Sequence, residues 1–231
     1  MKSASEIAHY SPLTVAAMMI FNMLKRLSGM GILAMMLPIY RPRSGLTEEE
    51  IASREFVMRR ARAIEYYVLG WLAIEITVTC AVLFSHPRFD GFAQWVATGL
   101  VALRITEIIQ VTVNAALFDQ ISSPIGRRVA TPERMLVIAA VNFIELYLCF
   151  SAIYGMNVNL LTPVSGPDSA FYFSAITQLT IGYGDIAPTG WLRAVAPAHG
   201  FLSFLFVALV FSRFIASMKP LSAVLEDTDT K

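Results

Sequence analysis

Thr177-Gln178-Leu179-Thr180-Ile181-Gly182-Tyr183-Gly184-Asp185 lies between a short apolar segment and a longer one. Gly182 and Gly184, one residue apart, can take positive φ at little cost, so the backbone can follow a path closed to most side chains. In a soluble protein Gly-Tyr-Gly-Asp reads as an ordinary glycine turn. The surroundings argue against that reading. A helix-length segment from about Asp168 to Leu179 precedes the glycines, Pro188 and Gly190 follow them, and an apolar span runs from about Val195 to Met218.

Working outward, composition agrees with those apolar flanks. The chain has 231 residues, of which 56% are hydrophobic and 15% charged, too apolar for a soluble domain and too long for a single anchor. It reads as a polytopic membrane protein. The net charge of +1 gives no reason to expect nucleic acid as a partner. Cys80 and Cys149 each fall inside an apolar span, so they read as packing residues rather than a disulfide. Pro12 to Leu24 is followed by Lys25-Arg26 instead of a small-residue cleavage site, so the chain is expected to be unprocessed.

Four spans of bilayer length are predicted at about Ile64 to Phe84, Phe92 to Leu117, Arg134 to Met156 and Val195 to Met218. Of 18 Lys and Arg, nine precede the first span, Arg127, Arg128 and Arg134 separate the second from the third, and Arg213, Lys219 and Lys231 close the chain. Arg88 and Arg193 alone fall on the other side, so both termini are expected in the cytoplasm. Ahead of the spans, Leu13 to Leu24 and Gly29 to Tyr40 are too short to cross and are divided by Lys25-Arg26; amphipathic segments at the interface are expected. Thr47 and Glu50 have capping-box spacing, and the helix they open is expected to carry Arg54, Arg59, Arg60 and Arg62 into the first span.

Thr180, Ile181, Gly182, Tyr183 and Gly184 together resemble the five-residue filter of potassium channels, with Ile where Val is commoner. The resemblance, of a prokaryotic type with a single filter per chain, covers about Val137 to Met218. It implies backbone carbonyls that replace the hydration shell of K+ at Thr180, Ile181, Gly182 and Tyr183, the Thr180 hydroxyl as the innermost ring, and Tyr183 turned away from the ions to pack against the surrounding pore helix. Thr177 and Asp185 take supporting places. The third span becomes the outer helix, Asp168 to Leu179 the pore helix and the fourth span the inner helix. One chain supplies one filter loop, so the resemblance implies a cyclic homotetramer in the lipid bilayer of a plasma or bacterial inner membrane. The position before Thr180 is Leu179, often Thr in the family, and the place of the family's hinge glycine falls at Ser203 or Phe204, so no bend of the inner helix is assumed, although Gly200 would permit one.

The expected fold is therefore an all-α membrane protein with four transmembrane helices and a re-entrant pore helix. Residues 1–63 form interfacial segments, 64–130 two peripheral helices, 131–218 the pore domain and 219–231 a short tail, too short for a ligand-binding domain. A separate regulatory subunit stays open. The competing readings are a less selective cation channel and a potassium transporter subunit, whose class carries four degenerate pore segments in one chain. No cofactor is expected beyond the permeant K+. No enzyme is expected, since His9, His86 and His199 are scattered and no nucleophile pairs with a base.

A second constellation concerns charge. Glu75, Arg104 and Glu145 each lie near the midpoint of a different span, Glu107 is one turn from Arg104, and Gln110 and Asn114 extend that face. A charge at mid-bilayer costs about 2.5–3.5 kcal/mol on insertion scales, so such residues pair or face the bundle interior. A packing network through Arg104 is one reading. The other starts from three acids sharing one base, and makes Glu145, with Asn142 one turn away, the residue expected to lend the channel a pH response.

Overall fold

The computed structural model describes residues 19, 23, 54–85, 91–118, 132–163 and 166–217. The expected segments Leu13 to Leu24 and Gly29 to Tyr40, the capping box at Thr47, the basic pair Arg127-Arg128 and the tail from Lys219 lie outside these residues, apart from Met19 and Met23, which are helical and exposed.

Four long helices carry the fold: α1 (Arg54–Ser85), α2 (Phe92–Val113), α3 (Pro132–Met156) and α5 (Leu192–Ser217), with a short α4 (Asp168–Gln178) before the last. All four long helices are long and apolar enough to cross a membrane, over Arg62–Phe84, Phe92–Ala116, Arg134–Met156 and Leu192–Ala216. The chain is an all-α membrane protein. α1 has 32 residues, which at 1.5 Å per residue is about 48 Å. That exceeds the hydrocarbon thickness of about 30 Å, so its basic first turns extend past the apolar window. α2 ends in a π-helical turn at Asn114–Phe118.

α3 is the hub, packed by α1, α2, α4 and α5. Its Gly155 lets α1 come close, since a Cβ there would stand 2.6 Å from Val82 Cγ1. Above it, Gln94 of α2 donates to the Met156 carbonyl at 3.1 Å and pins the two helix ends together. Near the other end, Arg134 pairs with Glu65 at 2.6 Å. Leu146, Phe150, Tyr154, Phe173, Ile176 and Leu192 join α3, α4 and α5 in one buried apolar cluster.

α4 is held at both ends. A two-residue ribbon, β1 (Leu161–Thr162) antiparallel to β2 (Ala187–Pro188), closes the chain before α4 onto the chain after the glycines. Thr189 reinforces it, its amide and hydroxyl both donating to the Leu160 carbonyl at 2.7 and 2.8 Å. α5 contains Pro197, whose missing N–H leaves one turn of the helix without its backbone bond. This interruption falls three residues before Gly200, in a helix for which the sequence reading assumed no bend.

Candidate functional site

The stretch from Thr180 to Gly184 begins where α4 stops. α4 ends at Gln178, and the chain then folds back on its own last turn. Leu179 N donates to the Ala175 carbonyl at 3.0 Å, Thr180 N to Thr177 at 3.1 Å, and Ile181 N and Gly182 N both to Ile176, at 2.8 and 3.3 Å. These bonds satisfy the carbonyls that a helix C-terminus leaves open. They also commit the amides of Thr180, Ile181 and Gly182 to the helix. Among the described residues, no backbone hydrogen bond uses a carbonyl of residues 180–184 as acceptor.

Its backbone angles alternate. φ is +57° at Thr180, +59° at Gly182 and +77° at Gly184, whereas Ile181 and Tyr183 are not positive. In an extended strand successive peptides point to opposite sides. Alternation of left-handed with right-handed residues cancels that reversal and brings successive carbonyls to one side. A Cβ on Gly182 or Gly184 would meet nothing within 4 Å, so glycine is required there by conformation and not by crowding within the chain. Thr180 takes the same conformation without glycine's freedom, at a cost of about 1–2 kcal/mol. The sequence reading anticipated the two glycines and not Thr180.

The supporting residues fall around this stretch. Thr177 accepts the Thr180 amide, as above. The Tyr172 hydroxyl of α4 donates to the Asp185 carboxylate, and that bond, with the neighbouring negative charge, pushes the Tyr172 phenol above its usual value. Tyr183 is 71% exposed, so its expected packing against α4 is not made within one chain.

Behind the stretch lies a buried polar chain that the sequence reading dismissed. His199 of α5 is fully buried with its ring stacked on Phe150, centroids 3.7 Å apart. Its Nε2 is 3.2 Å from Gln178 Oε1 and its Nδ1 is 3.3 Å from the Tyr154 hydroxyl. Gln178 Nε2 donates to the Phe143 carbonyl at 2.8 Å. A signal was present, since an ionisable side chain inside a span is a candidate for function in its own right.

The match to known families falls on this part of the chain. Residues 142–219 match the family model described as Ion channel. The match supports an ion-channel pore domain. It spans about a third of the 231 residues and includes α4, the Thr180–Gly184 stretch and all of α5, but neither α1 nor α2. No curated protein and no solved structure matches the chain. Assignment of the pore domain therefore rests on the family match together with the geometry above.

The four expected charged residues do come together, where α1, α2 and α3 meet. Arg104 of α2 reaches Glu107 through Nη1 at 2.9 Å, Glu145 of α3 through Nη2, and Glu75 of α1 through Nε at 3.6 Å. The Tyr67 hydroxyl lies 2.8 Å from both Glu107 oxygens. Tyr67 and Trp71 also cover the guanidinium, their ring centroids at 5.7 and 5.4 Å. All four charged residues are no more than 4% exposed. Glu145 was the acid expected to lack a full partner. The contacts assign the shortage differently, because the hydrogen-bonding guanidinium nitrogens go to Glu107 and Glu145. Glu75 keeps only one long ion-pair contact and a 3.4 Å thiol bond from Cys149, while Glu75 Oε2 and Glu145 Oε1 each have no hydrogen-bond partner among the described residues.

Proposed function

We propose that this protein is a potassium-selective channel through which K+ moves passively, each chain contributing one filter strand to a cyclic homotetramer. The observation that carries the reading is the alternation of positive φ at Thr180, Gly182 and Gly184 on a strand whose first three amides are tied to α4. Such a strand offers a row of carbonyl oxygens to a dehydrated cation and offers no charged group. One strand cannot surround an ion. Four around an axis form the successive oxygen rings that replace the hydration shell of K+.

Burial supports the assembly. Unpaired backbone at membrane depth is tolerated only where protein covers it or where it lines a water-filled path. Ile181 and Tyr183 are 46% and 71% exposed in the single chain, and α5 presents Phe201, Phe204, Val207 and Phe211 outward. In the tetramer these residues meet neighbouring copies or line the path. Both termini lie in the cytoplasm, in a plasma or bacterial inner membrane. Conduction needs no cofactor.

The test is the reversal potential of the purified protein in a planar bilayer with K+ on one side and Na+ on the other. Each tenfold preference for K+ displaces the zero-current voltage by about 59 mV. Reversal near zero would refute potassium selectivity and leave a less selective cation channel. Chemical crosslinking in the bilayer that stops at four copies is expected alongside.

A further inference from the structure

Gln178, His199, Tyr154 and Phe143 form a chain whose direction is decided by its last member. The Phe143 backbone carbonyl can only accept, so the side-chain atom of Gln178 that faces it at 2.8 Å is the amide nitrogen. The Gln178 oxygen then faces His199 Nε2 at 3.2 Å, and Nε2 must carry the hydrogen. That leaves Nδ1 to accept from the Tyr154 hydroxyl at 3.3 Å. A doubly protonated ring would turn Nδ1–H toward Tyr154 and leave its buried hydroxyl proton without an acceptor among the described residues. Hydrogen bonds therefore run one way, from Tyr154 through His199 and Gln178 to Phe143.

This chain reaches the ion path through backbone. Gln178 is the last residue of α4, and only Leu179 separates it from Thr180, the non-glycine residue at φ +57°. A residue in that region persists where its surroundings over-determine it. The Ile176 and Thr177 carbonyls restrain the far side of the turn through the amides of 180–182. On the near side the restraint is the Gln178 side chain, clamped between α3 and α5.

We propose that His199 is a positioning residue for the filter, the Tyr154–His199–Gln178 chain holding the end of α4, and through it Thr180, in the conformation that forms the innermost oxygen ring. The inference rests on the potassium-channel reading of Thr180 to Gly184. It adds that selectivity depends on a hydrogen-bonded histidine of the inner helix that never touches the ion.

Bi-ionic reversal potentials are measured on full-length wild type, His199→Phe and Gln178→Met. His199→Phe keeps a ring on Phe150 and removes both hydrogen bonds, and Gln178→Met keeps length and removes the amide. Each is expected to crosslink to the same copy number as wild type while its K+ over Na+ preference falls at least tenfold, a change of about 59 mV. The double variant is expected to lose no more than either single one, because both break one chain. Wild-type selectivity in both single variants overturns the proposal, and Gln178→Met decides alone if His199→Phe does not assemble. Imidazole 15N spectra separate this proposal from the reading beneath it. The signal lost in His199→Phe is expected from a neutral ring protonated at Nε2, whatever the wild type conducts. An Nδ1-protonated or doubly protonated ring overturns the chain, whereas a wild type without K+ preference overturns the channel reading.

Discussion

Replacing Arg104 by Gln removes the one cation that Glu75, Glu107 and Glu145 share. The guanidinium contacts all three, two through hydrogen-bonding nitrogens, and the residues involved are no more than 4% exposed. Breaking a buried ion pair by removing one partner costs about 3–5 kcal/mol, because the remaining charge stays buried. For a chain of this size that corresponds to about 6–20 °C in melting temperature. The Tyr67 hydroxyl compensates Glu107 alone, so it does not lower the figure for Glu145. The assay is thermal unfolding in detergent followed by tryptophan fluorescence, which is apt because Trp71 lies over the guanidinium. Two controls give the effect its sign. Glu75→Gln removes only the 3.6 Å contact and is expected to shift the melt far less than Glu145→Gln. Adding Glu75→Gln, Glu107→Gln and Glu145→Gln to Arg104→Gln is expected to recover most of the loss, since all three stranded charges disappear with their partner. An Arg104→Gln protein that melts with wild type would refute the pairing and make the cluster incidental to stability.

Gly182→Ala is expected to abolish K+ flux while leaving membrane insertion intact, because alanine at φ +59° costs about 1–2 kcal/mol in every chain of the proposed tetramer; vesicle flux with a protease-protection control measures both. Gly155→Leu is expected to loosen α1 from α3, since even a Cβ would stand 2.6 Å from Val82 Cγ1, and cysteine crosslinking between the two helices would fall. Tyr172 donates to Asp185, which raises its phenol above the usual value. The bond is accordingly intact below the ordinary tyrosine range near pH 10 and is lost only as pH rises through the higher folded value. In an ultraviolet titration the phenolate signal missing from Tyr172→Phe should appear later than that of a free tyrosine, and an earlier appearance would refute the contact.

Much of the fold was legible because its determinants are local. Hydrocarbon thickness sets how many apolar residues a span needs, so counting along the chain places all four apolar spans to within a few residues. Ready access to positive φ is a property of glycine itself, so Gly182 and Gly184 mark the turning backbone in the sequence alone. Mid-span charge is likewise visible in a single sequence, and Glu75, Arg104, Glu107 and Glu145 declared a buried network. What the chain could not declare is which oxygen each guanidinium nitrogen reaches, since that depends on how α1, α2 and α3 rotate against one another. Packing gave two nitrogens to Glu107 and Glu145 and left Glu75 short. Thr180 is the same kind of case. Its own preference is against a left-handed backbone, and only the end of α4, held by the carbonyls of Ile176 and Thr177 and by Gln178, forces it there. His199, apparently isolated in sequence, gains its meaning 21 residues from Gln178 and 45 from Tyr154, across contacts that exist once three helices have closed on one another.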